Sequence, residues 1–285
     1  MAEQLSGPHR RGAVIVPAYN EAAVIERTLL PLSHAATEGY IELIVVPNGC
    51  TDDTAAVARR IPGVHVVELR EGSKTAALNT GDRIATMWPR LYLDADIRIS
   101  AGAVLAVLDR LARGDVLAAR PEFRYAFDRS GPLVRSYYRA RQRIPQREPI
   151  LWGAGVYGLS REGHARFGSF PDLTGDDLFV DSLFDADEKS VVHTEPAVVT
   201  TPTDVGSLLA ILRRSHRGGT EARVADRSRV RRTGPATARA VLRSIRGPGS
   251  AVDAAVYISV ALVARRGALH PNVPWERDES SREHR

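Results

Sequence analysis

The sequence has a single cysteine, Cys50, which excludes an internal disulfide and any zinc site built on several cysteines. That scarcity suits a reducing compartment. Lysine is almost absent too, with only Lys74 and Lys189, so the net charge of +5 rests on arginine. An arginine bias is partly compositional and does not by itself mark a nucleic-acid binder. Aromatics make up only 6% of the chain, and the arginine-rich stretch after Glu221 has no stacking platform beside it. No nucleic-acid partner is expected. No apolar run reaches the roughly 20 residues of a membrane span. The nearest, AVDAAVYISVALVA at 251–264, is short and encloses Asp253. It reads first as a packed C-terminal helix and second as a peripheral contact with the inner face of a membrane. The opening MAEQLSGPHRRG lacks the apolar core of a secretory signal, so a cytoplasmic protein is expected.

What is present is an ordinary globular balance, 44% hydrophobic and 26% charged over 285 residues, enough to bury a full core. Short β-branched runs at 12–17, 41–46, 64–69, 91–93 and 116–119 predict strands. Between them, apolar residues at helical spacing predict helices at 22–32, 54–60, 74–85 and 101–112, the first with Val24, Ile25, Thr28, Leu29 and Leu32 on one stripe. This alternation indicates an α/β fold with a doubly wound, mostly parallel sheet flanked by helices. In such sheets the ligand site lies beyond the carboxyl ends of the strands. Four polar segments fall there: Tyr19-Asn20-Glu21, Asn48 to Asp52, Gly72-Ser73-Lys74 and Asp94-Ala95-Asp96. The second half is less regular. Helices are predicted at 137–143, 177–186 and 208–214, and strands at 151–159 and 191–200. Residues 221–248 read as an exposed helix or a mobile segment.

Asp94 and Asp96 put two carboxylates one residue apart just past a strand, where they can share a divalent cation. Mg²⁺ and Mn²⁺ favour oxygen ligands, and Mg²⁺ commonly completes its shell with substrate phosphates. Alone, such a pair is as readily a surface loop or a helix cap. Its place at the end of LYLDAD, followed by Ile97 and Ile99, points to a metal site. Asp176 and Asp177 precede the apolar run Leu178-Phe179-Val180, where carboxylates also serve as helix caps. Paired with a metal site elsewhere, one of them would act as general base toward an acceptor hydroxyl. Lys74 opens a helix after Gly72-Ser73, a fair place for phosphate or simply a solvated lysine. His216 and Arg217, beside two glycines, read as a mobile basic loop able to close on a diphosphate, or as an exposed basic helix end. His193 falls in a predicted strand and reads as a core histidine. Whether His193 or His216 completes the metal site stays open, and His34, His164 and Cys50 receive no role.

With these residues in place the chain resembles the family-2 glycosyltransferases of the GT-A fold. VIVPAYNEAAVIERTL (14–29) resembles the opening strand, nucleotide loop and helix; VVPNGCTDDTAAVA (45–58) the second strand and its Asp-Asp-Gly turn. GSKTAALNTG (72–81) resembles the Gly-Lys…Ala-Leu-Asn-x-Gly element, and LYLDADIRIS (91–100) the Asp-x-Asp motif. GAGVYGLSREGHARFGSF followed by GDDLFVD resembles the acceptor-side strand and the motif carrying the base; HRGGTE is a weaker match to the Arg-Gly segment after it. The resemblance implies an inverting, metal-dependent transfer from a nucleotide sugar. Asp96 with Asp94 would hold Mg²⁺ or Mn²⁺ on the donor diphosphate, and Asp177 would deprotonate the acceptor. Asp176 would orient acceptor or loop, Pro17, Tyr19 and Glu21 would line the nucleoside pocket, and Lys74 would lie near the phosphates. It also implies a glycosyltransferase domain over 1–220, with a nucleotide-binding half at about 12–120 and an acceptor half at about 121–220. An arginine-rich segment and C-terminal helix would follow at 221–285.

Two departures matter. Pro47-Asn48-Gly49 stands where the family shows Asp-Asp-Gly, so the base-reading residue is an amide with both donor and acceptor atoms. UDP-, GDP- and TDP-sugars all stay open. The Gln-x-x-Arg-Trp motif of processive synthases is missing near 212–219, so transfer of one sugar is expected. The acceptor is not identified. Rival readings are a retaining GT-A transferase, told apart by the anomer of the product, and a non-catalytic nucleotide-sugar binding relative. A nucleotidyltransferase would open with a glycine-rich, basic loop, which PAYNEAAV is not.

Overall fold

The computed structural model describes residues 11–145, 148–225 and 234–267. The first half alternates as the sequence predicts: β1 (Gly12–Ala18), α1 (Ile25–Thr37), β2 (Ile41–Pro47), α2 (Thr54–Arg59), β3 (Val64–Val66), α3 (Lys74–Ile84), β4 (Arg90–Leu93), α4 (Ala101–Ala112) and β5 (Ala118–Ala126). Then follow α5 (Pro132–Gln142), β6 (Val156–Leu159), α6 (Arg161–His164), α7 (Asp176–Ser182), a 3-10 turn at Ala186–Glu188 and β7 (Lys189–Thr200). The chain continues through α8 (Val205–Ala225), α9 (Gly234–Arg243) and α10 (Pro248–Gly267).

The strands form one seven-stranded sheet in the order β3-β2-β1-β4-β6-β5-β7. β1 to β4 pair parallel, Val14 opposite Leu43 and Leu91, whereas β6 runs antiparallel to both β4 and β5. The glycine-rich run predicted as a strand from 151 begins its strand only at Val156. Gly153 (φ 84) and Gly155 (φ 64) turn the backbone through left-handed conformations first. The helix expected at 22–32 is shifted toward its C-terminus, because Val24 and Ile25 donate back to Glu21 O and close a turn before it.

Contacts divide the described residues into two units, one within Met1–Arg124, Ile150–Asp172 and Phe184–Val199, the other within Tyr125–Pro149, Leu173–Leu183 and Thr200–Arg285. In the first unit β1, β2 and β4 are buried on both faces, as parallel strands covered by helices are. Val14, Val16, Leu43, Val45, Leu91 and Leu93 point one way, to Ile25, Leu29 and Leu32 of α1 and Val104, Val107, Leu108 and Leu111 of α4. Ile15 points the other way, to α3, where a Cβ on Gly81 would sit 2.3 Å from its Cγ2. The glycine lets helix and sheet close up. At the amino end of β4, Asp82 accepts from Arg90 (2.8 Å) and from the Tyr92 hydroxyl (2.9 Å), and meets His164 Nε2 at 2.9 Å. Arg90, Tyr92 and His164 are buried and Asp82 is half-buried, its side chain only 9% exposed. Burial, and then the Asp82 charge, push the Tyr92 hydroxyl well above its ordinary range. His164 thus belongs to a buried polar network that fixes β4.

His193 is not a core histidine. It lies on β7, at the end of the strand order, with its side chain 90% exposed and Nδ1 2.9 Å from Glu122 Oε1. In the second unit Val134, Tyr137, Tyr138 and Leu208 form a core with Tyr257 and Val260 of α10. The helix predicted at 251–264 is therefore a packed one. Of the segment read as exposed or mobile at 221–248, residues 221–225 close α8 and 234–243 form α9; 226–233 lie outside the described residues, as does the opening MAEQLSGPHR.

Candidate functional site

In the first unit the carboxyl ends of β1, β2 and β4, with the start of α3, bring most of the sequence-predicted donor residues together. The loops after β1 and β2 are bonded to each other. Thr51 N donates to Asn20 Oδ1 (2.8 Å), Glu21 N to Thr54 Oγ1 (2.7 Å) and Ala22 N to Asp52 Oδ2 (3.1 Å). Asn20 takes a left-handed conformation, φ 52, that asparagine tolerates better than most residues. Burial alone would raise the Asp52 carboxyl, but bonds from Thr54 Oγ1 and the Ala22 and Thr54 amides outweigh it and hold it below its ordinary value. Asp52 is thus an ionised brace between two loops, a role the sequence did not announce. Between them Glu21 is buried and Tyr19 half-buried. Pro17 is buried within β1 opposite Val46.

Asn48 is buried at the end of β2. Its amide nitrogen faces two main-chain carbonyls, Ala18 O at 2.9 Å and Val46 O at 3.3 Å. Carbonyls accept only, so the side-chain orientation is fixed: the NH₂ points at them and Oδ1 is the remaining polar atom. Gly49 (φ 62) packs so closely on the next loop that a Cβ would lie 2.6 Å from Gly72 N. A Cβ on Gly72 would in turn meet the Tyr19 ring at 3.4 Å. Tyr19, Asn48, Gly49 and Gly72 therefore make one continuous floor.

Ser73 caps α3, its Oγ accepting from Ala76 N at 3.2 Å, and this sets Lys74 in the first turn. Lys74 Nζ reaches 2.7 Å from Asp94 Oδ1. The Asp94-Ala95-Asp96 turn is held from three sides. Asp94 N donates to Gly155 O (2.8 Å), Thr28 Oγ1 to Ala95 O (2.8 Å), and Arg98 bridges to Val198. Gly155 is needed here, because a Cβ would come within 2.6 Å of Ile97 and 3.2 Å of Asp94 Oδ2. Asp94 and Asp96 are both half-exposed, so their carboxylates can reach a ligand. Among the described residues no group of three or more His, Cys, Asp and Glu is arranged to hold a metal. Asn79, inside the ALN element but assigned nothing from sequence, clamps the chain before the second unit. Its Oδ1 accepts from Phe170 N and its Nδ2 donates to Phe170 O, at 2.8 and 2.9 Å.

In the second unit Asp176 and Asp177 open α7, Asp176 buried and Asp177 half-buried. Arg217 is not in a mobile loop. His216, Arg217 and Gly218 lie within α8, which runs unbroken from Val205 to Ala225. The glycine permits an approach instead: a Cβ on Gly218 would sit 3.0 Å from Gly175 N. That contact brings the two motif segments, GDD and HRG, side by side.

The family model described as Glycosyl transferase family 2 matches residues 13–159. Among curated protein sequences none matches the chain. Among solved structures, a mannosyltransferase from Pyrobaculum calidifontis in complex with GDP-Man and Mn²⁺ is similar with a TM-score of 0.56 at 20% identity, covering 93% of this chain and 76% of that one. S. aureus TarS in complex with UDP-GlcNAc gives 0.52 at 16% identity, over 90% and 91%. Glucosyl-3-phosphoglycerate synthase from Mycobacterium tuberculosis, with Mn²⁺, UDP and phosphoglyceric acid, gives 0.51 at 21%, over 70% and 73%. At these identities the likeness is one of fold.

Proposed function

The chain belongs to glycosyl transferase family 2, and from that premise we propose that it moves a single sugar from a nucleotide sugar to an acceptor hydroxyl, with inversion at the anomeric carbon. The observation that carries the donor half is Lys74 beside Asp94, at the end of β4 and the start of α3. Asp94 and Asp96 offer oxygen donors only. Mg²⁺ is commonly held by one or two carboxylates plus substrate phosphates, so this pair fits Mg²⁺ or Mn²⁺ held jointly with a donor diphosphate. Bound there, the ion would supply Lewis-acid stabilisation of the departing diphosphate. The solved neighbours carrying GDP-Man or UDP together with Mn²⁺ support that donor class.

Each residue then has a task. Lys74 would give its ammonium to the phosphates and add to the charge that stabilises the leaving group. Tyr19 and Glu21 would border the nucleoside, with Pro17 shaping the strand end beneath. Asn48 would present Oδ1, an acceptor, to the base. An acceptor selects a base edge carrying N–H, which uracil, thymine and guanine have; cytosine offers a ring acceptor there. Asp177 would take the proton from the acceptor hydroxyl as that oxygen attacks, with Asp176 and Arg217 holding the surrounding turn or an anionic group. The lone Cys50 suits a cytoplasmic setting.

A thermal-shift panel of UDP, GDP, TDP and CDP, each with and without Mn²⁺, tests this. A ligand bound only by the folded state adds about 2.7 kcal/mol at a hundred times its Kd. One of the first three nucleotides should stabilise the protein only when Mn²⁺ is present, and CDP should not. Asp177→Asn should keep that shift and lose transfer. Metal-independent shifts, or none, would overturn the donor site; full activity in the variant would overturn the base.

A further inference from the structure

α10 has two faces of different chemistry. Its inner face carries Asp253, Ala254 and Ala264, all buried. Asp253 is held by Ser136, Arg139 and Arg143, and Tyr257 stacks on Tyr137 with ring centres 4.8 Å apart. These contacts fix which way the helix faces. At 100° per residue, Val252, Ala255, Ser259, Leu262 and Val263 fall within about 100° of one another on the opposite side. All five are exposed, Val252 by 59%, Leu262 by 53% and Val263 by 48%. A helix face turned to water normally carries charge. From Val252 to Val263 this stripe carries none; in the last turn Arg266 takes the same face, with exposed Arg265 beside it.

α9, which packs against α10, repeats the pattern. Leu242 is 56% exposed and Ile245, just past the helix, 38%. Arg239, Arg243 and Arg246 are exposed around them. Between 234 and 267 the basic residues are Arg239, Arg243, Arg246, Arg265 and Arg266, and the one acid is Asp253, already paired inward. Exposed aliphatic side chains bordered by arginines suit an interface where the first enter the acyl boundary and the second meet lipid phosphates. Among the described residues no helix is long and apolar enough to cross a membrane, so these helices would lie on a surface. A second copy of the chain is a poorer occupant, because a two-fold pairing of this face sets arginine against arginine.

We infer that the exposed faces of α9 and α10 form a docking surface for a bilayer of anionic phospholipid. Flotation of the full chain with vesicles of phosphatidylcholine alone, and with vesicles that also contain phosphatidylglycerol, tests it. Binding is expected to the second kind only, and to weaken as salt rises. Leu262→Asp with Val263→Asp should weaken the partition at least roughly tenfold, with an unchanged thermal midpoint because both side chains are exposed. Should the aspartates lower the midpoint, Leu262→Gln with Val263→Gln gives the same reading at smaller cost to folding. Arg265→Ala with Arg266→Ala should weaken binding and flatten its salt dependence. The proposal is overturned if the parent chain stays with neither vesicle or binds both equally. It is equally overturned if the folded aspartate or glutamine variant floats as well as the parent, or if the parent is a dimer that these variants split.

Discussion

Lys74 Nζ lies 2.7 Å from Asp94 Oδ1, joining the first turn of α3 to the end of β4. Both side chains are more than a third exposed, 37% and 40%, so the pair adds little to stability. Its interest is competition. On the proposed reading a cation at Asp94 and the ammonium would seek the same carboxylate, and a donor diphosphate would offer the ammonium another partner. Lys74→Met should therefore bind Mn²⁺ alone more tightly than the parent. It should bind the Mn²⁺–nucleoside diphosphate more weakly, by roughly tenfold or more, the value of a hydrogen bond to a charged group. Calorimetric titration with Mn²⁺ and then nucleotide reads both. Equal loss of the two would make Lys74 a structural residue only.

Asn48 has its amide hydrogens directed to Ala18 O and Val46 O, so Oδ1 is what it can offer a base. Asn48→Ala should reduce the preference for the bound nucleotide over CDP by several-fold, in line with about 1 kcal/mol for a neutral hydrogen bond. Asn48→Asp should instead set a carboxylate against two carbonyls and lower stability by about 1–3 kcal/mol, read by urea unfolding. Unchanged discrimination in the alanine variant would remove Asn48 from base reading.

The alternating half of the fold was legible because buried parallel strands and amphipathic helices leave strong periods; β1, β2 and β4 lie where the apolar runs put them. What the sequence hid was long-range and main-chain. Asp52 reads as one more loop acid until its bonds to Ala22 and Thr54 are seen. Asn79 reads as a mid-helix polar residue until its two bonds to Phe170 appear. The two glycines at 218–219 suggested a mobile loop or a helix end, since glycine weakens helices in isolation. Packing against Gly175 overrides that weakness. His193 looked internal because strand assignment says nothing about which strand forms an edge.

Asp253 anchors α10 to α5. Burial would raise its carboxyl, but bonds from Arg139, Ser136 and Arg143 outweigh burial and hold it far below the ordinary carboxylate value of 3.8. A folded value below the unfolded one means the contribution is fully present above the unfolded value and is lost as pH falls toward the folded one. The anchor should thus hold through pH 5 and fail only well below 3.8. Asp253→Asn should cost about 2–3 kcal/mol at neutral pH, discounted from a fully buried pair because Arg139 is 47% exposed. The deficit should shrink as the parent is acidified. Urea midpoints of parent and variant across pH test it, and a constant difference down to strong acid would exclude the ionic account.

Gly218 bears on how the carboxylates at the start of α7 are placed. A Cβ there would lie 3.0 Å from Gly175 N and 3.1 Å from Gly175 Cα, and backbone atoms yield less readily than a side-chain tip. Gly175 is the residue just before Asp176 and Asp177. Gly218→Ala should push the first turn of α7 away from α8 by a few tenths of an ångström or more. Small misplacements at a reacting centre are costly, about a hundredfold for 1 Å, so a fall in kcat of roughly tenfold is expected. Stability need not fall with it, because alanine is favoured over glycine within a helix by about 1 kcal/mol. Donor binding should be unchanged, since the residues proposed for it, Lys74, Asp94 and Asp96 among them, belong to the other unit. A variant with lower kcat, equal Mn²⁺–nucleotide affinity and an equal or higher Tm would tie Gly218 to the position of Asp177. Undiminished kcat would show that α7 tolerates the shift and that the close glycine pair serves packing alone.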